Sequence, residues 1–133
     1  MRRVMTILLL LCVPAISACG TTTSTSSFHG TEHAVAQTIA NLQSDVTSAE
    51  QKKICTNDVS ASVVRKLGGQ KGCEAAVKSQ VAEIDNTEVT VEAVHVAGTS
   101  ATAKVRSVYR GKKRSSTVAL VQEGGKWKVS ALQ

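Results

Sequence analysis

Apolar positions change their period once along this chain, and the change separates a helical half from a strand half. Val35, Ile39, Leu42 and Val46 recur at spacings of four, three and four, one face of an α-helix. Thr31, with Glu32 behind it, supplies a start signal. Ala49 to Asn57 reads as a second helical piece that Ser60 to Leu67 continues, and Gly68-Gly69 breaks it. Cys73 to Ile84 then forms a third helix, with Ala76, Val77, Val81 and Ile84 on one side. From Val89 the period drops to two. Val89 and Val91 alternate with polar residues, and Val94 and Val96 continue on the opposite parity, which predicts a bulge near Glu92-Ala93. Ala101, Ala103, Val105 and Tyr109 mark a second strand, Val118 and Leu120 a third, and Trp127, Val129 and Ala131 a fourth. Their shared parity turns Trp127, Val129 and Ala131 toward the core and Lys126 and Lys128 toward solvent. The separators Gly98-Thr99, Arg110-Gly111-Lys112-Lys113 and Gly124-Gly125 are short enough for antiparallel hairpins. Residues 31–133 are therefore expected to form one α+β domain, with N-terminal helices packed on a curved four-stranded antiparallel sheet.

The residues before that domain follow a different pattern. Arg2 and Arg3 precede an apolar stretch from Val4 to Ile16, interrupted by Thr6 and Pro14. A bilayer-spanning helix needs roughly 20 apolar residues, whereas the core of a secretory signal is shorter. The stretch closes on Ile16-Ser17-Ala18-Cys19-Gly20, and small residues directly before a cysteine resemble the lipobox of bacterial lipoproteins. That resemblance implies a signal peptide over 1–18, cleavage before Cys19, and diacylglyceryl attachment and acylation (palmitate) at Cys19. Two or more acyl chains give stable anchoring where one gives marginal binding. The implied location is the exported face of the cell membrane, or the outer membrane in a host that has one. Residues 19–30, with an unbroken Thr/Ser run from Thr21 to Ser27, are expected to form a flexible tether.

The order of helices followed by a meander resembles the cone-shaped nuclear-transport-factor-like family, which includes ketosteroid isomerases. Gly124-Gly125-Lys126-Trp127-Lys128-Val129 is similar to the last strand of those proteins. That family usually places a short strand between its second and third helices, for which Val63-Val64 is the candidate here. A cystatin-like sheet wrapped on one helix is the rival architecture. The isomerase-like members use a pocket carboxylate as base and a tyrosine or acid as oxyanion donor. Asp45, Asp58 and Asp85 fall at predicted helix ends or loops, where caps and turns account for them.

Composition narrows the chemistry. Phe28, Tyr109 and Trp127 are the only aromatic residues, too few for an aromatic-lined steroid-type pocket. Removing Arg2 and Arg3 leaves 14 basic and 10 acidic side chains, a mild excess that does not by itself indicate nucleic acid. His29-Gly30-Thr31-Glu32-His33 matches the HxxEH metalloprotease spelling, but that motif needs a continuous helix and here carries a glycine at the edge of the tether. His95 stands alone on a strand. No catalytic set, metal site or cofactor is expected. The reading is a non-catalytic binding or accessory module, with a small enzyme of isomerase or dehydratase type as the alternative. Its partners are the membrane, through the lipid, and either an envelope protein or a small apolar ligand held in a Val/Ala/Leu-lined cleft.

Two features remain. With Cys12 in the signal and Cys19 taking lipid, Cys55 and Cys73 are left as a pair in an exported domain and are expected to form a disulfide. Arg110, Lys112, Lys113 and Arg114 place four cations in five residues around Gly111. They are expected to project together from a turn, extended along one strand face by Lys104 and Arg106. This is the candidate contact with an anionic surface.

Overall fold

The computed structural model describes residues 23–81 and 87–132. Helix α1 runs Gly30–Thr47, and α2, Gln51–Lys53, passes directly into a π-helical turn over Ile54–Asp58. There the Val59 N–H donates to the Ile54 carbonyl at 3.1 Å, one residue beyond the α-helical partner. Two further helices follow, α3 over Ala61–Lys66 and α4 over Gly69–Val81. Four strands complete the fold: β1 Glu88–Ala97, β2 Ser100–Tyr109, β3 Lys112–Glu123 and β4 Lys126–Leu132. They form one antiparallel sheet in the order β1-β2-β3-β4. The expected Ile84 contact and Asp85 lie outside the described residues.

Turn chemistry fixes the meander. Gly98 takes φ 61° as the first of two turn residues closing Ala97 against Ser100. Arg110 and Gly111, at φ 49° and 74°, form a two-residue turn with both centres left-handed, as do Gly124 and Gly125. β1 is bulged between Val91 and Ala93, as its parity switch predicted. A second bulge lies in β4. Leu120 pairs with Val129, but Ala119 pairs with Ala131, so the register slips across Ser130. The slip corrects the single-parity reading of this strand: Trp127 is buried and Val129 packs against the core, but Ala131 is exposed.

Val35, Ala36 and Ile39 of α1 lie over Val91, Ala101, Ala103, Val105, Val118, Leu120 and Trp127 of the sheet. Leu120 and Val35 are essentially fully enclosed, a class of burial that stabilises by about 1.5–3 kcal/mol per side chain. The boundary of this packed unit differs from the expected one. Phe28 packs against the core, Thr23 Oγ1 donates to the Val89 carbonyl at 3.1 Å, and His33 Nδ1 bonds the Thr25 carbonyl at 3.1 Å. The segment from Thr23, read as tether, is therefore docked on the domain. A phenyl ring beside an apolar sheet edge outweighs the polarity of the neighbouring Ser and Thr.

Between the π turn and α3 the chain touches the sheet once. Val59 bridges Val129 in parallel, and the Ser60 N–H donates to the Val129 carbonyl at 2.8 Å. Val63 and Val64, read as a short strand, are in α3. Ser60 caps that helix by accepting from the Val63 N–H, and both Glu123 carboxylate oxygens accept from the Ala61 N–H.

Candidate functional site

One end of α1 and the β3–β4 turn enclose a cleft of about 480 Å³. His33, Gln37 and Asn41 line it at i, i+4 and i+8 of α1, a single stripe down one helix face. Ala34 and Thr38 lie beside them, Asn57 and Asp58 come from the π turn, and Gly125, Lys126 and Trp127 close the far side. The stripe is held by its own hydrogen bonds: Gln37 Nε2 donates to Asn41 Oδ1 at 3.0 Å, and Thr25 Oγ1 donates to Gln37 Oε1 at 3.4 Å. This cleft differs in lining from the Val/Ala/Leu-lined one expected between helices and sheet. The Val, Ala and Leu side chains fill the core instead, and the cleft presents amide, hydroxyl, imidazole and carboxyl groups around an indole.

Asp58 is the unusual member. The residue is only 5% exposed, and its Oδ2 is buried without a hydrogen-bond partner. Burial pushes its carboxyl up to about 7, the neighbouring Asp45 carboxylate adds to the rise, and Lys128 and Lys53 oppose it. Lys128 is held nearby, its Nζ donating to the Thr56 carbonyl at 2.9 Å. A carboxyl that titrates near neutrality can hold or release a proton at physiological pH. Reading Asp58 as a helix cap missed this, because Ser60 and Glu123 serve α3 instead. The local signal was the polar run Thr56-Asn57-Asp58 placed directly after Ile54-Cys55, but nothing in it announces a π turn.

The other candidates are distributed as follows. Cys55 and Cys73 form a disulfide, with Cα atoms 6.0 Å apart, that ties the π turn to α4. It therefore braces the segment that carries Asn57 and Asp58. Cys19 lies outside the described residues. His29 precedes α1 while His33 is within it, so the two histidines of the HxxEH spelling do not share a helix. His95 is exposed on the sheet face away from the helices, beside a depression of about 220 Å³ that also touches Thr102 and Ala119. Of the basic run, Arg110 alone occupies the turn; Lys112, Lys113 and Arg114 belong to β3 and alternate between its faces. All four are exposed, and the Arg110 guanidinium lies 5.1 Å from the Tyr109 ring centroid. Lys104 and Arg106 do share one face, but both face Glu92, at 3.9 and 3.3 Å.

The helices-then-meander arrangement can be compared with solved structures. A variant of the protein Rd1NTF2_05 superposes with a TM-score of 0.51 at 15% identity, covering 73% of this chain and 92% of that one. The fold is NTF2-like. RPA3114 of Rhodopseudomonas palustris, a protein containing a SEC-C motif, superposes with a TM-score of 0.57 at 14% identity, covering 72% of this chain and 74% of its own. No protein-family model and no curated protein sequence matches the chain. The NTF2-like fold is thus shared at low sequence identity, and among the described residues the chain ahead of α3 meets the sheet through the isolated bridge of Val59 to Val129.

Proposed function

We propose that this protein is a lipid-anchored binding module of the cell envelope, tethered through Cys19, whose α1–β4 cleft takes a small polar ligand. The cleft carries the reading. Gln37, Asn41 and Asn57 offer both donors and acceptors, Asp58 adds a buried carboxyl, and Trp127 forms an apolar wall. A few convergent polar groups beside an aromatic surface are what orient a small ligand in a pocket. The lipobox spelling around Cys19 supports the location.

Trp127 is the only tryptophan, so its fluorescence reports on the cleft directly. Titration with a panel of amino-acid amides and monosaccharides is expected to produce saturable quenching with at least one class. Asn57→Ala should weaken that binding roughly fivefold to tenfold, the effect of one hydrogen bond. A panel-wide absence of saturation, or binding indifferent to Asn57 and Gln37, contradicts the reading.

One observation favours a second reading. Asp58 titrates near neutrality, the range that suits a general acid or base, so the same cleft could carry an isomerase-type proton transfer. Turnover of an enolisable substrate that is lost in Asp58→Asn, with ligand binding retained, would select it.

A further inference from the structure

The first described residue and the basic hairpin lie at the same end of the sheet. Thr23 is hydrogen-bonded to the carbonyl of Val89, near the start of edge strand β1. Val89 is paired with Ser107, and Ser107 is paired with Arg114. Thr23, Val89, Ser107 and Arg114 therefore fall on one line across three strands, about 10 Å from Val89 to Arg114 at ~4.8 Å per strand. The Arg110-Gly111 turn lies just beyond that line. Only three residues lie between Cys19 and Thr23, a reach of at most about 14 Å over four Cα steps. The opposite end of the sheet, at the Gly98 and Gly124 turns, is roughly 30 Å away along β2. A reach of that length is too short to carry an anchor at Cys19 to the other end of the sheet.

From this juxtaposition we propose that Arg110, Lys112, Lys113 and Arg114 form a membrane-facing surface that binds anionic phospholipid headgroups and so fixes the orientation of the domain. The proposal rests on the lipid anchor at Cys19 given above. All four side chains are exposed, and the ion pairs among the described residues involve Lys53, Lys104 and Arg106, not these four. Glu88, exposed opposite Val108, leaves this end with a clear excess of positive charge. Arg110 is held at φ 49°, a left-handed position where Asn or Gly is the ordinary choice, so the turn keeps a cation at its tip against the backbone preference. Tyr109 is half-exposed beneath it, with a ring suited to the headgroup level. Attraction of this kind is screened within about 8 Å at physiological salt, so it needs the anchor to keep the surface close.

The test uses the mature chain from residue 19 with Cys19→Ser, so that no lipid contributes. It is sedimented with vesicles of phosphatidylcholine alone or with about one-third phosphatidylglycerol, at low and high salt. Binding is expected to anionic vesicles only, to fall with salt, and to weaken about a hundredfold when Arg110, Lys112, Lys113 and Arg114 become Ser, at roughly fivefold per cation softened by mutual screening. A control variant with Arg65, Lys66, Lys71 and Lys78 changed to Ser removes the same charge from α3 and α4, and should retain binding. Unchanged Trp127 emission confirms that both variants are folded. Equal losses in the two variants, or equal binding to both kinds of vesicle, overturn the proposal. Capture by soluble polyglutamate without capture by anionic vesicles also overturns it, in favour of an acidic polymer. The mass of Cys19 in membrane-extracted protein is measured separately, so a missing lipid and a missing headgroup contact give different results.

Discussion

Asp58 carries the most consequential chemistry at the scale of single residues. Its carboxyl has an ordinary value of 3.8 and is raised to about 7 in the fold, so between those limits the native state binds a proton that the unfolded chain has lost. Stability must therefore fall as pH rises from about 4 to about 7, and then level off. With each pKa unit worth about 1.4 kcal/mol, the loss is at most about 4 kcal/mol. Asp58→Asn should abolish that slope and exceed the native protein in stability at pH 8. Urea denaturation at pH 4.5 and pH 8 measures both effects; an unchanged slope in the variant would place the titration elsewhere.

At the scale of elements, the junction between α3 and α4 leaves no room for a side chain at Gly72. A Cβ at Gly72 would stand 1.9 Å from the Leu67 carbonyl oxygen, a backbone atom that cannot swing aside. Gly72→Ala should cost about 1–3 kcal/mol through forced separation of the two helices. A neighbouring Lys71→Ala change, at an exposed position, should be close to neutral. The Cys55–Cys73 bridge ties the π turn to the same helix α4, across a sequence separation of 18 residues that includes α3. Replacing both cysteines with Ala should lower stability by about 3 kcal/mol in the chain-entropy model. It should also loosen the π turn, seen as faster amide exchange at Asn57 and Asp58 than at Val105. Thermal melts of the two variants separate a packing loss from a cross-link loss, because reductant lowers the melting temperature of Gly72→Ala but leaves the cysteine-free form unchanged.

For the whole molecule, the order of the meander sets where the turns stand. The Arg110-Gly111 turn lies at the end of the sheet where Thr23 bonds the start of β1, and the Gly124-Gly125 turn, which bounds the cleft on one side, lies at the other. The same geometry shows how much of the design was written locally. Val35, Ile39 and the alternating valines and alanines of the strands name their own elements, since the periods of helix and strand are properties of neighbouring residues. The paired glycines and the Arg110-Gly111 turn fix the hairpins for the same reason, and even the β1 bulge is visible as a change of parity. The bulge at Ser130 is not, because no apolar residue after Ala131 except Leu132 exposes the slip, and only pairing with Ala119 reveals it. Phe28 likewise carries no local sign that it reaches the core and docks the residues before it. Asp58 is the clearest case. Its sequence context is that of an ordinary cap, and its burial, its nearness to Asp45 and its place in the cleft all depend on α1 and the β3–β4 turn meeting the π turn in space. The sequence by itself determined the long first helix, the four strands, their order and the candidate cross-link, because those follow from short-range periodicity and residue chemistry. The tertiary structure alone decided which polar groups are desolvated together and which ends of the sheet they share, because desolvation and proximity are set by chain segments far apart in sequence.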